Sequence, residues 1–270
     1  MLAGKSDNMF ARLRLEVKSL LKAGGNKIEI LFKSPELEAT ERAKALPYPI
    51  QHLSFQVQSP HRNLLRKVQC HGGWDWGPCL MVSGIYGDIS IQSVELARID
   101  YVHVLQKHRK DFCELEISCE AMSPEGGETR LAASIGGVSV ERKVTLPKGA
   151  STQSLIIEVE KPQLWWPNGY GEQHLYSLKV ELGDACVERQ IGLRSLEVDN
   201  RPDTHGVPMI FKVNNVPIFF KGADCIPCDA LPQRQTKDAL DELLSSAAKA
   251  GMNILRVWGG GQYESDEFYS

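Results

Sequence analysis

Short alternating runs of apolar and polar residues fill the first two thirds of the chain. Ala11-Arg12-Leu13-Arg14-Leu15-Glu16-Val17 puts every second side chain on an apolar face, the period of a half-buried strand. A similar run over 27–33 follows the Gly24-Gly25-Asn26 turn, and another covers 88–95, with Ile89, Ile91 and Ser93 on one face. Further strands are predicted over 101–107, 113–119, 131–135, 138–144, 155–159, 175–182 and 186–191. Turn residues part them, among them Ser123-Pro124-Glu125-Gly126-Gly127, Pro147-Lys148-Gly149 and Gly183-Asp184. Short strands at this spacing predict β-sandwiches. The segment 35–45 departs from the pattern: rich in Glu and Ala, it reads as a helical excursion or a long loop.

The period changes after about residue 200. Phe211 to Phe220 reads as a hairpin, with Asn214-Asn215 at its tip, and Phe219 to Asp224 leaves it as a buried strand. Thr236 is a plausible N-cap, and Ala239, Leu240, Leu243, Leu244 and Ala247 follow at helical spacing. Gly251 stands where a helix would end. Asn253-Ile254-Leu255-Arg256-Val257-Trp258 is then a second strand, running into Gly259-Gly260-Gly261. Strand, helix and strand in this order suit a parallel sheet or a (β/α)8 barrel.

Composition narrows the function only slightly. The 270 residues are 42% hydrophobic and 24% charged, with a formal net charge of -3, so no basic surplus calls for nucleic acid. No apolar run is long enough to span a bilayer, and the first residues hold no apolar signal region. Seven cysteines, an odd number in a chain this long, argue for free thiols rather than a disulfide scaffold. Cys225-Ile226-Pro227-Cys228 has CxxC spacing but no second ligand pair, so no metal site is expected.

The candidate chemistry lies in His71-Gly72-Gly73-Trp74-Asp75-Trp76-Gly77-Pro78. An indole face covers the apolar face of a sugar ring, and a carboxylate accepts charge-assisted bonds from sugar hydroxyls. The glycines can present both from a loop. The other reading of the same block is a tryptophan pair packing a sandwich edge, with Asp75 capping a turn.

In this setting the chain resembles the β-mannosidases of the large glycoside hydrolase family (family 2) that also contains β-galactosidases and β-glucuronidases. Ser6-Asp7-Asn8-Met9-Phe10 and Ile85-Tyr86-Gly87-Asp88-Ile89 resemble parts of that family's N-terminal sugar-binding domain. Leu164 to Gly171, with Leu175-Tyr176, resembles the motif of its immunoglobulin-like domain. Lys221-Gly222-Ala223-Asp224 and Leu255 to Gly261 resemble its first two barrel strands, and Trp-Asp-Trp-Gly-Pro marks the β-mannosidases among their relatives.

The resemblance implies a multidomain chain. Residues 1–96 would be the C-terminal part of a jelly-roll β-sandwich, 97–195 an immunoglobulin-like β-sandwich, and 196–270 the beginning of a (β/α)8 TIM barrel. It implies an exo-acting, retaining enzyme that removes terminal non-reducing β-mannose from a β-mannoside oligosaccharide. Trp74, Asp75, Trp76 and Trp258 would bind the sugar, with Arg256 and Asp224 at the pocket edge. Arg256 would orient a catalytic carboxylate or form a buried ion pair. Both catalytic glutamates are expected beyond Ser270, so the chain reads as a fragment truncated at both ends and inactive alone. No cofactor and no membrane partner are implied.

Asp224-Cys225 departs from the Asn-Trp common in the family, which puts aglycone preference in doubt. Trp165, Trp166 and Tyr170 are expected to be structural, and His71 is placed to hydrogen-bond to the Trp loop. The alternatives are a sister glycosidase (β-galactosidase, β-glucuronidase or exo-β-glucosaminidase) or a non-catalytic carbohydrate-binding module. The chain has no Asn-x-Ser/Thr site, which leans towards a bacterial cytoplasmic or periplasmic location.

Overall fold

The computed structural model describes residues 2–51 and 59–269. It divides into two compact units. One comprises Met1–Ile89, Asp224–Leu243 and Arg256–Phe268; the other comprises Ser90–Ala223, Leu244–Leu255 and Tyr269–Ser270.

In the first unit, α1 (Pro35–Ala45) is set by its ends. Ser34 caps it through a bond from the Leu37 amide to Oγ, proline occupies its first turn, and Glu36 and Glu38 face its positive end. The helical alternative for this segment therefore holds. The strands predicted over 11–17, 27–33 and 88–95 do not form. Among the described residues these runs enter no ladder, and Leu13, Ile28, Leu31, Ile89 and Ile91 are all exposed. Alternation prepares a face, but a strand exists only where a neighbour takes up its N–H and C=O groups.

The second unit is built on seven strands: β1 (Arg98–His108), β2 (Phe112–Ser123), β3 (Gly127–Ile135), β4 (Val138–Leu146), β5 (Gly149–Glu160), β6 (Tyr176–Leu182) and β7 (Ala185–Ile191). They form one sheet in the order β1-β2-β5 and a second in the order β4-β3-β6-β7, an immunoglobulin-like sandwich. All the ladders are antiparallel. β2 shows why it folds so: Cys113, Leu115, Ile117, Cys119 and Ala121 are buried, and the glutamates between them are not. Across the core lie Leu131, Ile135, Leu178, Val180 and Leu182. Each such side chain stabilises the fold by about 1.5–3 kcal/mol through burial.

The chain continues through β8 (Leu196–Asp199), β9 (Ile210–Val213) and β10 (Val216–Pro217), a three-stranded antiparallel sheet. Its hairpin turns at Asn214 and Asn215, both at positive φ. The buried strand predicted over 219–224 is a correction. β11 (Gly222–Cys225) is short and only Cys225 is buried, while Phe219 is 76% exposed. α2 (Lys237–Lys249) begins behind Thr236, whose Oγ1 accepts from the Ala239 amide, and Gly251 at positive φ follows its end.

β12 (Ile254–Val257) pairs with β11, and a short α3 (Asp266–Tyr269) ends the described chain. The Asn253 amide bonds to the Lys221 carbonyl at one end of the pair, and the Trp258 amide to the Cys225 carbonyl at the other. Residue numbers rise together, so the pair is parallel. Gly222 permits it, because a Cβ there would lie 2.0 Å from the Ile254 carbonyl oxygen.

Candidate functional site

The Trp-Asp-Trp loop is a closed turn. The Gln69–His71 segment makes one turn of 3-10 helix, and Gly72 bridges to Cys79. The Leu80 amide bonds to the His71 carbonyl at 2.8 Å, and the Trp74 amide to the Gly77 carbonyl at 3.1 Å. Gly73 takes a φ of +91°, which a side chain would resist. This geometry leaves Asp75 and Trp76 exposed and Trp74 half-buried.

Trp258, one residue beyond β12, completes an aromatic cluster. Its ring lies edge-on to Trp74 at 5.0 Å and to Trp76 at 5.5 Å between centroids. Both are preferred T-shaped arrangements. Gly260 is required for this, since a Cβ there would fall 2.1 Å from the Trp258 ring. The Cys70 amide bonds to the Gly260 carbonyl at 3.3 Å and ties the loop to the strand end. Three of the predicted sugar-binding residues thus converge, and Asp75, which lies between two of them in sequence, is exposed.

Arg256 and Asp224 also meet, Nη1 to Oδ1 at 3.0 Å. Both side chains are more than half exposed, so this is a surface ion pair. An Arg256–Asp224 ion pair thus forms, and in these 270 residues it is solvated, with no further strand paired to β11 or β12 among the described residues. Cys225 and Cys228 are free, and burial pushes both thiols up, with Glu264 adding to the shift. Among the described residues, no cluster of His, Cys, Asp and Glu could hold a metal ion.

Among the described residues no hydrogen bond is formed from His71 Nδ1 to the Trp loop. The residue is 6% exposed, and its Nδ1 has no partner among the described residues. Burial, aided by the nearby Lys67 charge, lowers its pKa to about 4, so the ring is neutral at pH 7. Sequence reasoning missed Arg62, which is 5% exposed and lies under the loop. Its guanidinium donates to the Gly73 carbonyl at 2.9 Å and the Gly72 carbonyl at 3.4 Å, and sits 5.0 Å from the Trp74 ring centroid. An arginine far from a motif in sequence carries no pattern that would point to it.

The aromatics of 164–171 pack on their own surroundings. Trp165 lies on Gly192 and Trp166 on Gly171, and the Tyr170 hydroxyl accepts from the Phe219 amide at 3.1 Å. Asn168 between them donates to the Ala248 and Met252 carbonyls at 2.9 and 3.0 Å, closing the C-terminal end of α2.

A family model described as the glycosyl hydrolase 2 galactose-binding domain-like matches residues 2–87, and that of glycosyl hydrolases family 2 matches 97–194. The chain belongs to glycosyl hydrolase family 2. Among named proteins it is similar to a β-mannosidase of Capra hircus, at 33% identity over 98% of this chain and 32% of that protein. It is 34% identical to β-mannosidase B of Emericella nidulans over the same shares. Its fold matches the crystal structure of a β-D-mannosidase from Dictyoglomus thermophilum, with a TM-score of 0.91 and 35% identity over 99% of this chain and 34% of that one. An exo-chitosanase from Amycolatopsis orientalis shares the fold over 64% of this chain and 21% of its own, at a TM-score of 0.53 and 22% identity. The chain spans about a third of the length of the relatives it matches.

Proposed function

We propose that this chain contributes the sugar-holding wall of an exo-acting, retaining β-mannosidase. In this reading, Trp74 and Trp76 face the non-reducing mannose and Asp75 accepts its hydroxyls. Trp258 closes the wall from the end of β12, and β11, α2 and β12 begin a (β/α)8 barrel. The observation that supports the reading is the contact of Trp258 with both Trp74 and Trp76, the two indoles that flank the exposed Asp75 in sequence.

A retaining glycosidase needs two carboxyl groups about 5 Å apart. Asp224 is held by Arg256 in a solvated pair, and among the described residues no second carboxylate shares that arginine. The acid/base and the nucleophile belong, in this proposal, to later barrel strands of the full-length protein, as the family resemblance implies. The Asp224–Arg256 pair and the small Cys225 shape the edge nearest the leaving group.

The similarity to β-mannosidases at 33–34% identity supports mannose over galactose, glucuronic acid or glucosamine. Hydrolysis of an aryl β-mannoside by the full-length protein, compared with the β-galactoside, β-glucuronide and β-glucosaminide, tests the reading. A clear preference for the mannoside is expected. Preference for any of the other three would replace it with a sister activity.

A further inference from the structure

Arg62 is buried, charged and, among the described residues, in no ion pair. Taking a guanidinium out of water without a carboxylate costs several kcal/mol unless its donors are met. Here Nη1 donates to the carbonyls of both Gly72 and Gly73, the two residues that lead into Trp74. The cation lies over the Trp74 ring, whose face attracts it. Gly72 is moulded to this side chain: a Cβ there would lie 2.5 Å from Arg62 Cδ. The Arg62 carbonyl in turn accepts from the Leu65 amide at 3.2 Å and from Gln69 Nε2 at 3.3 Å, so the backbone beneath the guanidinium is itself held.

We propose that Arg62 is the positioning residue of the sugar-binding loop: it fixes the Gly72-Gly73 backbone and the plane of Trp74, and so sets Trp74 against Trp258. Nη1 bonds both carbonyls while the guanidinium carbon lies over the indole, and lysine, whose chain is shorter, places its ammonium short of the Nη1 position. Arg62 touches no sugar and acts through Trp74. The same device recurs in the sandwich, where Arg194 stacks on Trp165 at 4.5 Å and donates to the Gly192 carbonyl at 3.3 Å. That second copy provides an internal control.

The consequence for substrate rests on the β-mannosidase reading, so the test has two readouts, both taken on the full-length protein. The first is the ultraviolet circular dichroism of the coupled indoles, assigned by its loss in Trp258→Phe. The second is the split between KM and kcat on an aryl β-mannoside. Arg62→Met is expected to abolish the indole coupling and raise KM about tenfold, with kcat changed much less. Arg62→Lys keeps the charge and, if Arg62→Met does not fold, carries the test alone; it is expected to fail in the same way.

Arg194→Met is expected to leave the KM and the Trp258-dependent signal as they are. Persistence of the indole coupling in Arg62→Met or Arg62→Lys would overturn the positioning role. Loss of coupling with an unchanged KM would leave that role standing and overturn the reading that Trp74 holds the sugar.

Discussion

Trp258 meets Trp74 edge-on at 5.0 Å, although the whole sandwich lies between them in sequence. The positive ring edge of one indole lies against the negative face of another, and each such pair contributes about 0.5–1.5 kcal/mol beyond burial. Trp258 makes two of them. Trp258→Ala is therefore expected to cost about 1–3 kcal/mol locally and to shift the remaining indole emission to the red. An unshifted emission would mean the cluster does not exist in solution.

The buried His71 makes the loop sensitive to acid. Its pKa falls from 6.5 to about 4 in the folded protein, so between these values the unfolded chain binds more protons than the folded one. Stability contributed by the neutral ring is full above pH 6.5 and is lost as pH falls towards 4. The loss amounts to up to about 3 kcal/mol, from 1.36 kcal/mol per pKa unit. Denaturant unfolding of the loop, followed by tryptophan emission, should weaken over that window. His71→Leu should flatten the dependence.

The sandwich should survive damage elsewhere. Leu115 is fully buried in a core shared by both sheets, and Leu115→Ala is expected to cost about 2–5 kcal/mol. Limited proteolysis should leave a resistant fragment near 97–195, because its strands are long and fully laddered. The exposed runs before residue 90 should be cut first. A resistant fragment over 200–270 instead would contradict this ranking of stability.

The β11–β12 pair depends on Gly222. Gly222→Ala drives a methyl into the Ile254 carbonyl and should break the pairing that delivers Trp258. Hydrogen exchange at the Asn253 and Trp258 amides, which bond to the Lys221 and Cys225 carbonyls, would report it. Both amides should lose protection while β2 keeps its own.

What was legible in the sequence follows from what each element needs. The sandwich strands were legible because their alternation meets a partner: Cys113 to Ala121 points inward on every second residue. Leu13 and Ile89 carry the same alternation, but among the described residues they find no ladder, so the pattern there predicted strands that do not form. Asn214-Asn215, Thr236 and Gly251 act locally, and each lies where its chemistry placed it. The Trp-Asp-Trp loop was visible because its residues are contiguous. Arg62 and Asn168 were not, since each works on backbone carbonyls of residues that only the fold brings near. Exposure of the Arg256–Asp224 pair was likewise beyond a sequence pattern, which shows spacing and not solvent.

The most direct measurement is the kcat/KM of the full-length protein and its Asp75→Ala variant on an aryl β-mannoside. A charge-assisted hydrogen bond is worth about 1.5–3 kcal/mol, so a roughly 10- to 100-fold fall is predicted for each sugar bond lost. Folding and the Trp258-dependent indole signal should remain, because Asp75 is exposed and outside the aromatic contacts. An unchanged kcat/KM would contradict the account, leaving the Trp-Asp-Trp loop as an aromatic brace with no hold on the sugar.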